Sequence, residues 1–507
     1  MKKSGAAWGL VGILAGFAGL AAAFLVAEWM HLRLDPVSAV SERVHGWLPL
    51  GLVDWARGVP GPSFTTPVLL LLGLGVFIGL GVLARRSRWG AAGGYLLLAL
   101  LGGIFVLQAR GATRWWLLPV AAGFAVAVLA LFVLARRLGR LQALPDQEVY
   151  GETWRGRRRE FLAVSGAVVA LGAVAYVAGR LGGREVREVE AERKTQVRSV
   201  TAPEVPPGAR LDVEGLSAWM TPVGSFFIKD TAVVRPALKT ENWTIKIHGL
   251  VENELELTFE ELVNRGIEES WITMVSVFNE VGGDLVGNAW FSGVLLAPLL
   301  AEARPLPDAD AVLQTSEDGW TCGTPLEAMT DGRGSMLAVA MNGEPLTIEH
   351  GYPVRTVIPG LYGHVSATKW VVDLEVTRFD QITPYWTDRG FAELGPVKLS
   401  SRIEVPDAEA VLPAGQVVVA GSAWAPGTGI AEVAVQVDDG EWQEAVLGDA
   451  PNPNTWVQWK AALDVEPGEH TVVVRATDKA GLVQTGVVAD IRPDGATGLD
   501  QVTFTTT

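Results

Sequence analysis

Thr-Met-Val-Ser-Val-Phe-Asn-Glu-Val-Gly-Gly-Asp-Leu-Val-Gly-Asn-Ala-Trp-Phe-Ser-Gly-Val, residues 273–294, is the stretch that decides the fold of this chain. The residues from Trp271 to Val277 are mostly β-branched and apolar, which predicts a buried strand. A polar, glycine-rich turn follows, and glycine lets a backbone approach a ligand and leaves its amides free to bind it. The small and polar members of this turn are Asn279, Gly282, Gly283, Gly287 and Asn288. An ordinary strand and loop would give the same pattern, so the function stays open at this point.

A second stretch, residues 350–370, carries two cations around a glycine turn. Arg355 precedes Gly360, and Ser366 and Lys369 follow it. A guanidinium, an ammonium and a hydroxyl held around a turn suit a phosphate or another anion. A surface salt bridge is the alternative role for the arginine. The stretch therefore predicts an anion site, in a loop that its prolines make stiffer.

Together, the two stretches resemble the sulfite oxidase family of molybdopterin-binding oxidoreductases, and in particular its bacterial, membrane-anchored members. The resemblance covers roughly residues 211–507. It implies an α+β molybdopterin-binding domain of the sulfite oxidase type at 211–395 and an immunoglobulin-like β-sandwich at 396–507. In the family the sandwich often mediates dimer contacts, so a homodimer is one expectation. The strands expected in the sandwich are residues 416–420, 431–437, 470–476 and 486–490.

The resemblance also implies the cofactor, which is molybdenum bound to molybdopterin. The family uses the histidine and the arginine at the positions of His350 and Arg355 to hold the pterin and its phosphate. Ser366 and Lys369 extend the same site, and Lys229 is the basic residue expected to border the pterin. These five residues are the predicted cofactor contacts.

One half of the predicted site departs from the family pattern. The family's strand delivers a cysteine thiolate to molybdenum, and the corresponding residue here is Ser276. Phe278 stands where a small polar residue is usual, and Trp290 stands where an arginine is usual. We expect Ser276 and Asn279 to be the catalytic positions, with Ser276 as a harder oxygen ligand to the metal. Three changes in one site indicate an altered substrate or lost turnover.

The composition divides the chain into a basic, apolar part and an acidic part. Residues 1–200 hold 23 Lys and Arg against 12 Asp and Glu, a net charge of +11, and the remainder carries a net charge of −26. An acidic soluble part argues against nucleic-acid binding. Cys322 is the only cysteine, so neither an intrachain disulfide nor a cysteine-bound iron–sulfur centre is expected. We predict that this thiol is a packed core side chain rather than a metal ligand.

Residues 1–180 are predicted to be a transmembrane region of about five helices. Apolar runs lie near residues 7–28, 66–84, 90–108 and 114–135, each close to the ~20 residues that cross a bilayer. The first run lacks a small-residue cleavage site, which favours an anchor over a signal peptide. The arginine clusters that follow the second and fourth runs lie on the cytoplasmic side if the N-terminus is inside.

The fifth apolar run follows Arg157-Arg158-Arg159, which is either a positive flank or an internal twin-arginine-like export signal. Both interpretations place the residues after about 180 outside the cytoplasm. A membrane haem needs paired histidines in facing helices, and none of the six histidines lies in a predicted span, so no haem is expected. The spans are therefore predicted to be an anchor or a docking surface for a separate electron carrier. Residues 181–210, which are charged and then rich in proline, are predicted to be a linker.

Three functions remain open after these observations. The first is an outward-facing, membrane-anchored, molybdopterin-dependent oxidoreductase that acts on a small oxyanion or a sulfoxide-type substrate. The second is a family member that binds the cofactor but no longer turns over. The third is a non-enzymatic envelope protein that binds a partner through its sandwich.

Overall fold

The computed structural model describes residues 5–47, 65–143, 151–182, 184–196, 200 and 204–507. Contacts group the chain into two compact units. The first unit is Met1–Glu188 with Thr231–Ala237, and the second is Val189–Asp230 with Leu238–Thr507. Parts of the predicted linker, residues 183, 197–199 and 201–203, lie outside the described residues.

The first unit is helical because a long apolar run can satisfy all its backbone groups within one helix. Five helices of the described chain are long and apolar enough to cross a membrane, as the sequence predicts. A further short helix, Pro36–Trp47, has no counterpart among the predicted elements. The helices are α1 (Gly5–Trp29), α2 (Pro36–Trp47), α3 (Thr65–Ala84), α4 (Arg88–Leu107), α5 (Leu117–Gln142) and α6 (Gly151–Gly182).

Glycine in α1 allows close helix packing within this unit. A Cβ atom at Gly12 would overlap the carbonyl of Phe77 in α3, and one at Gly19 would lie 2.7 Å from the carbonyl of Gly123 in α5. The hydroxyl of Tyr95 in α4 donates to the carbonyl of Gly12 at 2.7 Å. Small residues let apolar helices gain van der Waals contact in a lipid environment. The contacts of α1 therefore hold the bundle together.

The predicted linker contains a packed helix, α7 (Arg184–Gln196). Its charge pattern supports a helix, because Glu190 and Arg193 form an ion pair at 3.1 Å one turn apart. Val189 is fully buried. The carboxylate of Glu192 accepts hydrogen bonds from the hydroxyls of Thr240 at 2.6 Å and Tyr352 at 3.1 Å. Residues 189–196 of this helix therefore belong to the second unit.

Two sheets form the first part of the second unit. The strands are β1 (Thr244–Gly249), β2 (Leu255–Thr258), β3 (Glu268–Val275), β4 (Val286–Leu295), β5 (Ala311–Ser316), β6 (Thr321–Pro325), β7 (Met336–Met341), β8 (Glu344–Pro345), β9 (Arg355–Val357) and β10 (Val371–Thr377). The helices are α8 (Phe259–Val263), α9 (Leu296–Ala303) and α10 (Leu326–Thr330). One sheet has the order β2-β1-β10-β5-β6, and the other has the order β3-β4-β7-β8 with β9 also paired to β7. Trp243, Leu300 and Val354 are buried in the core of this part.

The predicted strand at 271–277 is β3, but the predicted turn after it is too long. Gly287 and Asn288 belong to β4, which pairs with β3 from Val286 onward. The reason is packing, because a Cβ atom at Gly287 would lie 2.8 Å from the ring of Phe226. Glycine is needed here for the close approach of a ring to a strand rather than for a turn.

A β-sandwich forms the last part of the second unit. Its strands are β11 (Ser400–Val405), β12 (Val411–Leu412), β13 (Gly415–Trp424), β14 (Ile430–Val437), β15 (Gln443–Glu444), β16 (Val446–Leu447), β17 (Val457–Val465), β18 (Gly468–Asp478) and β19 (Gln501–Thr506). The sheet orders are β11-β13-β17-β16 and β12-β19-β18-β14-β15. Val419 and Trp459 of the first sheet share a core with Val433 and Val474 of the second. We call residues 400–507 the C-terminal module, and its immunoglobulin-like character remains a prediction.

The strand predicted at residues 486–490 is wrong. This segment lies outside the strands, and the last strand is β19. Val487 and Val488 are 70% and 84% exposed, so these apolar side chains have no sheet face to cover. The β-branched composition alone could not reveal the missing partner strand.

Candidate functional site

A turn at residues 276–285, the Ser276 turn, joins β3 to β4. Val275 pairs with Val286 at the end of the hairpin ladder, and the N–H of Ser276 donates to the carbonyl of Leu285 at 2.9 Å. Ser276 is only 5% exposed. Its hydroxyl oxygen accepts the N–H of Phe278 at 3.2 Å. The structure therefore places Ser276 where a buried strand gives way to a turn, with its oxygen engaged inside that turn.

Asn279 closes the Ser276 turn from within. Its side-chain oxygen accepts the N–H of Leu285 at 2.8 Å, and its own N–H donates to the carbonyl of Ser276 at 2.9 Å. Gly282 adopts a φ of +73°, which glycine tolerates better than other residues. The contacts of Asn279 are those of a residue that holds the turn, and its predicted catalytic role stays a prediction.

We call His350, Arg355, Ser366 and Lys369 the anion cradle, because the sequence predicts that they hold an anion. All four side chains are buried. Gly351, with a φ of +104°, makes the turn between His350 and Arg355. A Cβ atom at Gly351 would lie 3.0 Å from the Cα of Lys369 and 3.2 Å from the Cβ of Arg355. The bare backbone of this glycine therefore lets the cradle residues lie close together.

Arg355 is a buried cation without a counter-charge among the described residues. It is 6% exposed, its Nη1 donates to the carbonyl of His350 at 3.3 Å, and its Nε has no hydrogen-bond partner. Burial lowers the pKa of this guanidinium to about 10, so it remains charged at neutral pH. A buried charge is unfavourable unless it is paired. The arrangement fits an anionic group, such as a phosphate, at this position.

His350 is a neutral member of the cradle. Its Nε2 donates to the carbonyl of Val223 at 3.1 Å, which leaves Nδ1 as the acceptor of a neutral ring. Burial, and then the charge of Arg355, lower the pKa of His350 to about 4. The imidazole is therefore uncharged at pH 7 and adds a hydrogen-bonding group beside the arginine without adding charge.

Lys369 differs from Arg355 because it has a carboxylate partner. Its Nζ lies 2.6 Å from Oδ2 of Asp230, with both side chains less than 10% exposed, and it also donates to the carbonyl of Glu349 at 3.0 Å. Asp230 was missed by the sequence interpretation, since nothing in the local pattern links residues that lie 139 positions apart. The hydroxyl of Ser366 donates to the carbonyl of Tyr362 at 2.9 Å.

Residues 223–230 contact both the hairpin that carries Ser276 and the anion cradle. Val223 and Asp230 contact His350 and Lys369 as described above. Phe226 packs its ring edge-on against the ring of His350, with 5.8 Å between centroids, and also covers Gly287 of β4. Lys229 lies 5.7 Å from the ring centroid of Phe278 in the Ser276 turn. This segment therefore contacts both halves of the predicted site.

The two unusual aromatic residues are part of aromatic clusters. The ring of Phe278 lies 4.9 Å from that of Trp386 and 5.1 Å from that of Phe391. The ring of Trp290 lies 5.1 Å from that of Trp271, and its indole N–H is buried without a hydrogen-bond partner. The surroundings of the Ser276 turn are therefore aromatic where the resemblance implies a small polar residue and a cation.

Cys322 lies in β6 and is fully buried, as predicted. Burial raises the pKa of its thiol to about 11, and its sulfur contacts the hydroxyls of Thr324 at 3.7 Å and Thr368 at 3.6 Å. Within the described ranges, no group of three or more His, Cys, Asp or Glu side chains is placed to hold a metal ion.

Comparisons with known proteins agree with the resemblance. A family model described as "Oxidoreductase molybdopterin binding domain" matches residues 232–386. The uncharacterized oxidoreductase YuiH of Bacillus subtilis is 34% identical over 149 residues, which are 29% of this chain and 72% of that protein. The mitochondrial sulfite oxidase of Mus musculus is 29% identical over 279 residues, which are 48% of this chain and 50% of that protein.

Other relatives match this chain over only part of their length. A nitrate reductase of Hordeum vulgare is 26% identical over 339 residues, which are 54% of this chain and 37% of that enzyme. The chain thus spans half the length of the mouse enzyme and less of the plant enzyme. The crystal structure of the sulfane dehydrogenase SoxCD from Paracoccus pantotrophus is similar with a TM-score of 0.46 and 25% identity, and the match covers 59% of this chain and 82% of that chain.

Proposed function

This chain belongs to the sulfite oxidase family of molybdopterin-binding oxidoreductases, and we propose that it is a membrane-anchored enzyme that transfers an oxygen atom at molybdenum on the outer side of the membrane. The proposed substrate is a small oxyanion or a sulfoxide-type molecule. A separate electron carrier would exchange electrons with it.

The observation that carries the proposal is the buried guanidinium of Arg355. It has an unused Nε donor and no carboxylate partner in the described part of the chain. A pterin phosphate would supply the missing charge and accept the unused donor. Nδ1 of the neutral His350 ring would accept a hydrogen bond from the cofactor without adding charge to the site.

The other predicted residues have supporting roles. Lys369, tied to Asp230, would keep its position in the cradle wall, and Ser366 and Lys229 would border the pterin. When bound, molybdenum with its pterin dithiolene supplies the oxygen-atom transfer itself. Ser276 is the proposed protein ligand, and its oxygen is a harder donor than a thiolate, although its proton leaves less readily.

The second candidate is a protein that binds the cofactor without turnover. The observation in its favour is that the Ser276 oxygen already accepts the N–H of Phe278. In addition, Phe278 and Trp290 pack against other aromatic rings and offer no charged group to a charged substrate.

Elemental analysis of the purified full chain tests the first step of the proposal. The chain is produced in a host that makes the cofactor, and we expect close to one molybdenum and one extractable pterin per protein. Absence of both would sink the proposal and its second candidate together.

Two variants at Ser276 separate turnover from binding. If the serine is a working ligand, Ser276→Ala should lose activity towards sulfite or a sulfoxide while it retains pterin. Ser276→Cys should remain active or become more active. Activity of the cysteine variant alone would identify the native chain as a form that binds without turnover.

A single-cysteine labelling experiment tests the proposed sidedness. Cys322 is buried and gives no background, so Glu469→Cys in the C-terminal module can be labelled by a maleimide that does not cross membranes. We expect labelling of intact cells at this position. The matched variant Arg86→Cys, between α3 and α4, should be labelled only after the cells are opened.

A further inference from the structure

The C-terminal module contacts three consecutive residues of the Ser276 turn. Oδ1 of Asp500 would lie 2.5 Å from a Cβ atom at Gly282, and a Cβ atom at Gly498 would lie 3.4 Å from the side chain of Val281. Nη1 of Arg402 donates to the carbonyl of Gly283 at 3.0 Å. A side chain at Gly282 would therefore meet Asp500, and the backbone of Gly283 accepts a hydrogen bond from outside the hairpin.

Arg402 is itself fixed in position by a buried ion pair. Its Nε donates to Oε1 of Glu404 at 2.9 Å, and both side chains are 9% exposed. Glu404 also accepts the N–H of Ser217 at 2.8 Å and the hydroxyl of Ser422. Although burial alone would raise the pKa of this carboxyl, the charge of Arg402 and these hydrogen bonds lower it, so the pair is ionised. The guanidinium fork thus has one side on Glu404 and the other on Gly283.

Asp500 joins this arrangement to the strand of Arg402. Its Oδ2 accepts the N–H of Ile403 at 2.8 Å, while its Oδ1 faces Gly282. The side chain of Asp500 therefore connects Ile403, which follows Arg402, to Gly282 of the turn. We call Arg402, Gly498 and Asp500 the turn clamp.

We propose that the turn clamp makes Arg402 a positioning residue for Ser276, so that the C-terminal module sets the geometry of the candidate ligand position. The clamp contacts Val281, Gly282 and Gly283, on the side of the turn away from Ser276. The hydrogen bonds that Asn279 makes with Leu285 and Ser276 connect the clamped residues to Ser276. Only the role of Ser276 in this inference rests on the proposed function. In this proposal the C-terminal module helps to position Ser276 of its own chain.

Hydrogen exchange of the full-length protein tests the clamp without any cofactor. Arg402→Lys keeps a charge beside Glu404 but lacks the fork that also reaches Gly283. We expect amide exchange in residues 276–285 to become about tenfold faster or more, as for loss of a charge-assisted hydrogen bond. Lys398→Met is the matched control, because this lysine binds Asp494 at 2.9 Å and the carbonyl of Gly495 at 2.9 Å within the same junction.

Unchanged exchange in the turn would overturn the inference, and so would an equal rise throughout the chain. If Arg402→Lys does not fold, the same measurement is made on Asp500→Asn, which keeps the size of the side chain.

In the molybdenum-loaded protein, the paramagnetic resonance signal of the metal should shift in the folded variant and not in Lys398→Met. An unshifted signal would also overturn the positioning role. A chain that holds no molybdenum would defeat the proposed function, while the exchange result would still decide the clamp.

Discussion

The anion cradle and the Ser276 turn use their polar groups in opposite ways. In the turn, the hydroxyl of Ser276 and the amide of Asn279 both accept backbone N–H groups of the same turn. In the cradle, Arg355 is buried with an unused donor and without a carboxylate among the described residues. The side-chain acceptors of the turn are satisfied by backbone N–H groups of the turn, whereas the cradle holds a cation that no described carboxylate neutralises. We infer from this difference that the negative charge of a bound ligand would lie at the cradle rather than at the turn.

Breaking the ion pair between Lys369 and Asp230 should have the largest effect. Lys369→Met removes the cation from the buried carboxylate of Asp230, which we expect to cost about 3 kcal/mol of stability. Thermal unfolding of the full chain in detergent measures this loss. Lys246→Met is the control, since its pair with Glu254 is exposed and should contribute nothing measurable. Adding Asp230→Asn to Lys369→Met should recover part of the loss, and a further loss would contradict the pairing.

Removing the unpaired charge of the cradle should have two effects of opposite sign. Arg355→Met should raise the unfolding midpoint of the cofactor-free protein, because a buried charge disappears. The same change should weaken cofactor binding by about 2 kcal/mol, the contribution of a charge-assisted hydrogen bond. Molybdenum content per protein measures the second effect, with Arg378→Met as an exposed control. A cofactor-free variant less stable than the native chain would show that Arg355 is already paired.

The turn should respond to loss of its internal brace by a smaller amount. Asn279→Ala leaves the N–H of Leu285 without its acceptor, and we expect a cost of about 1 kcal/mol in unfolding. The control is Asn253→Ala, whose amide donates to the carbonyl of Glu302 at an exposed site. Equal effects of the two changes would contradict the view of the turn as a preformed scaffold.

An effect of similar size is a pH dependence that originates in the cradle. Histidine titrates near 6.5 in the unfolded chain, whereas burial lowers the pKa of His350 to about 4 in the folded one. The unfolded chain therefore binds more protons in this interval, so stability falls as the pH falls through it. His350→Gln should reduce the loss between pH 7 and roughly 5.5 by about 1 kcal/mol. His470→Gln should act in the opposite direction, because hydrogen bonding to Asp438 raises the pKa of His470.

The sequence was sufficient for features that depend on nearby residues. Runs such as 66–84 are long and apolar enough to predict helices without knowledge of what they contact, and α3 covers the same residues. The motif around His350 and Arg355 predicted that both residues contact one cofactor, which stays a prediction, and the structure buries both side chains and joins them by a hydrogen bond. The limits of the Ser276 turn were less certain, because Gly287 serves packing against Phe226 rather than chain reversal.

Features that join distant parts of the chain could not be predicted in this way. The partnership of Lys369 with Asp230 and the contact of Arg402 with Gly283 each connect residues more than one hundred positions apart. Their charges alone predict only a solvated surface. The helical part of the predicted linker was missed for a related reason, since the hydrogen bonds of Glu192 join it to Thr240 and Tyr352, which are distant in sequence.

Because no described carboxylate neutralises Arg355, the free energy of unfolding should depend on whether an anion occupies the cradle. Any anion that fills the cradle binds the folded chain and not the unfolded one, so it raises the free energy of unfolding by mass action. Copies that leave the ribosome without their prosthetic group would open more often and be cleaved first by cellular proteases. Such a dependence on occupancy would need only one buried charge that no carboxylate in the described part of the chain neutralises.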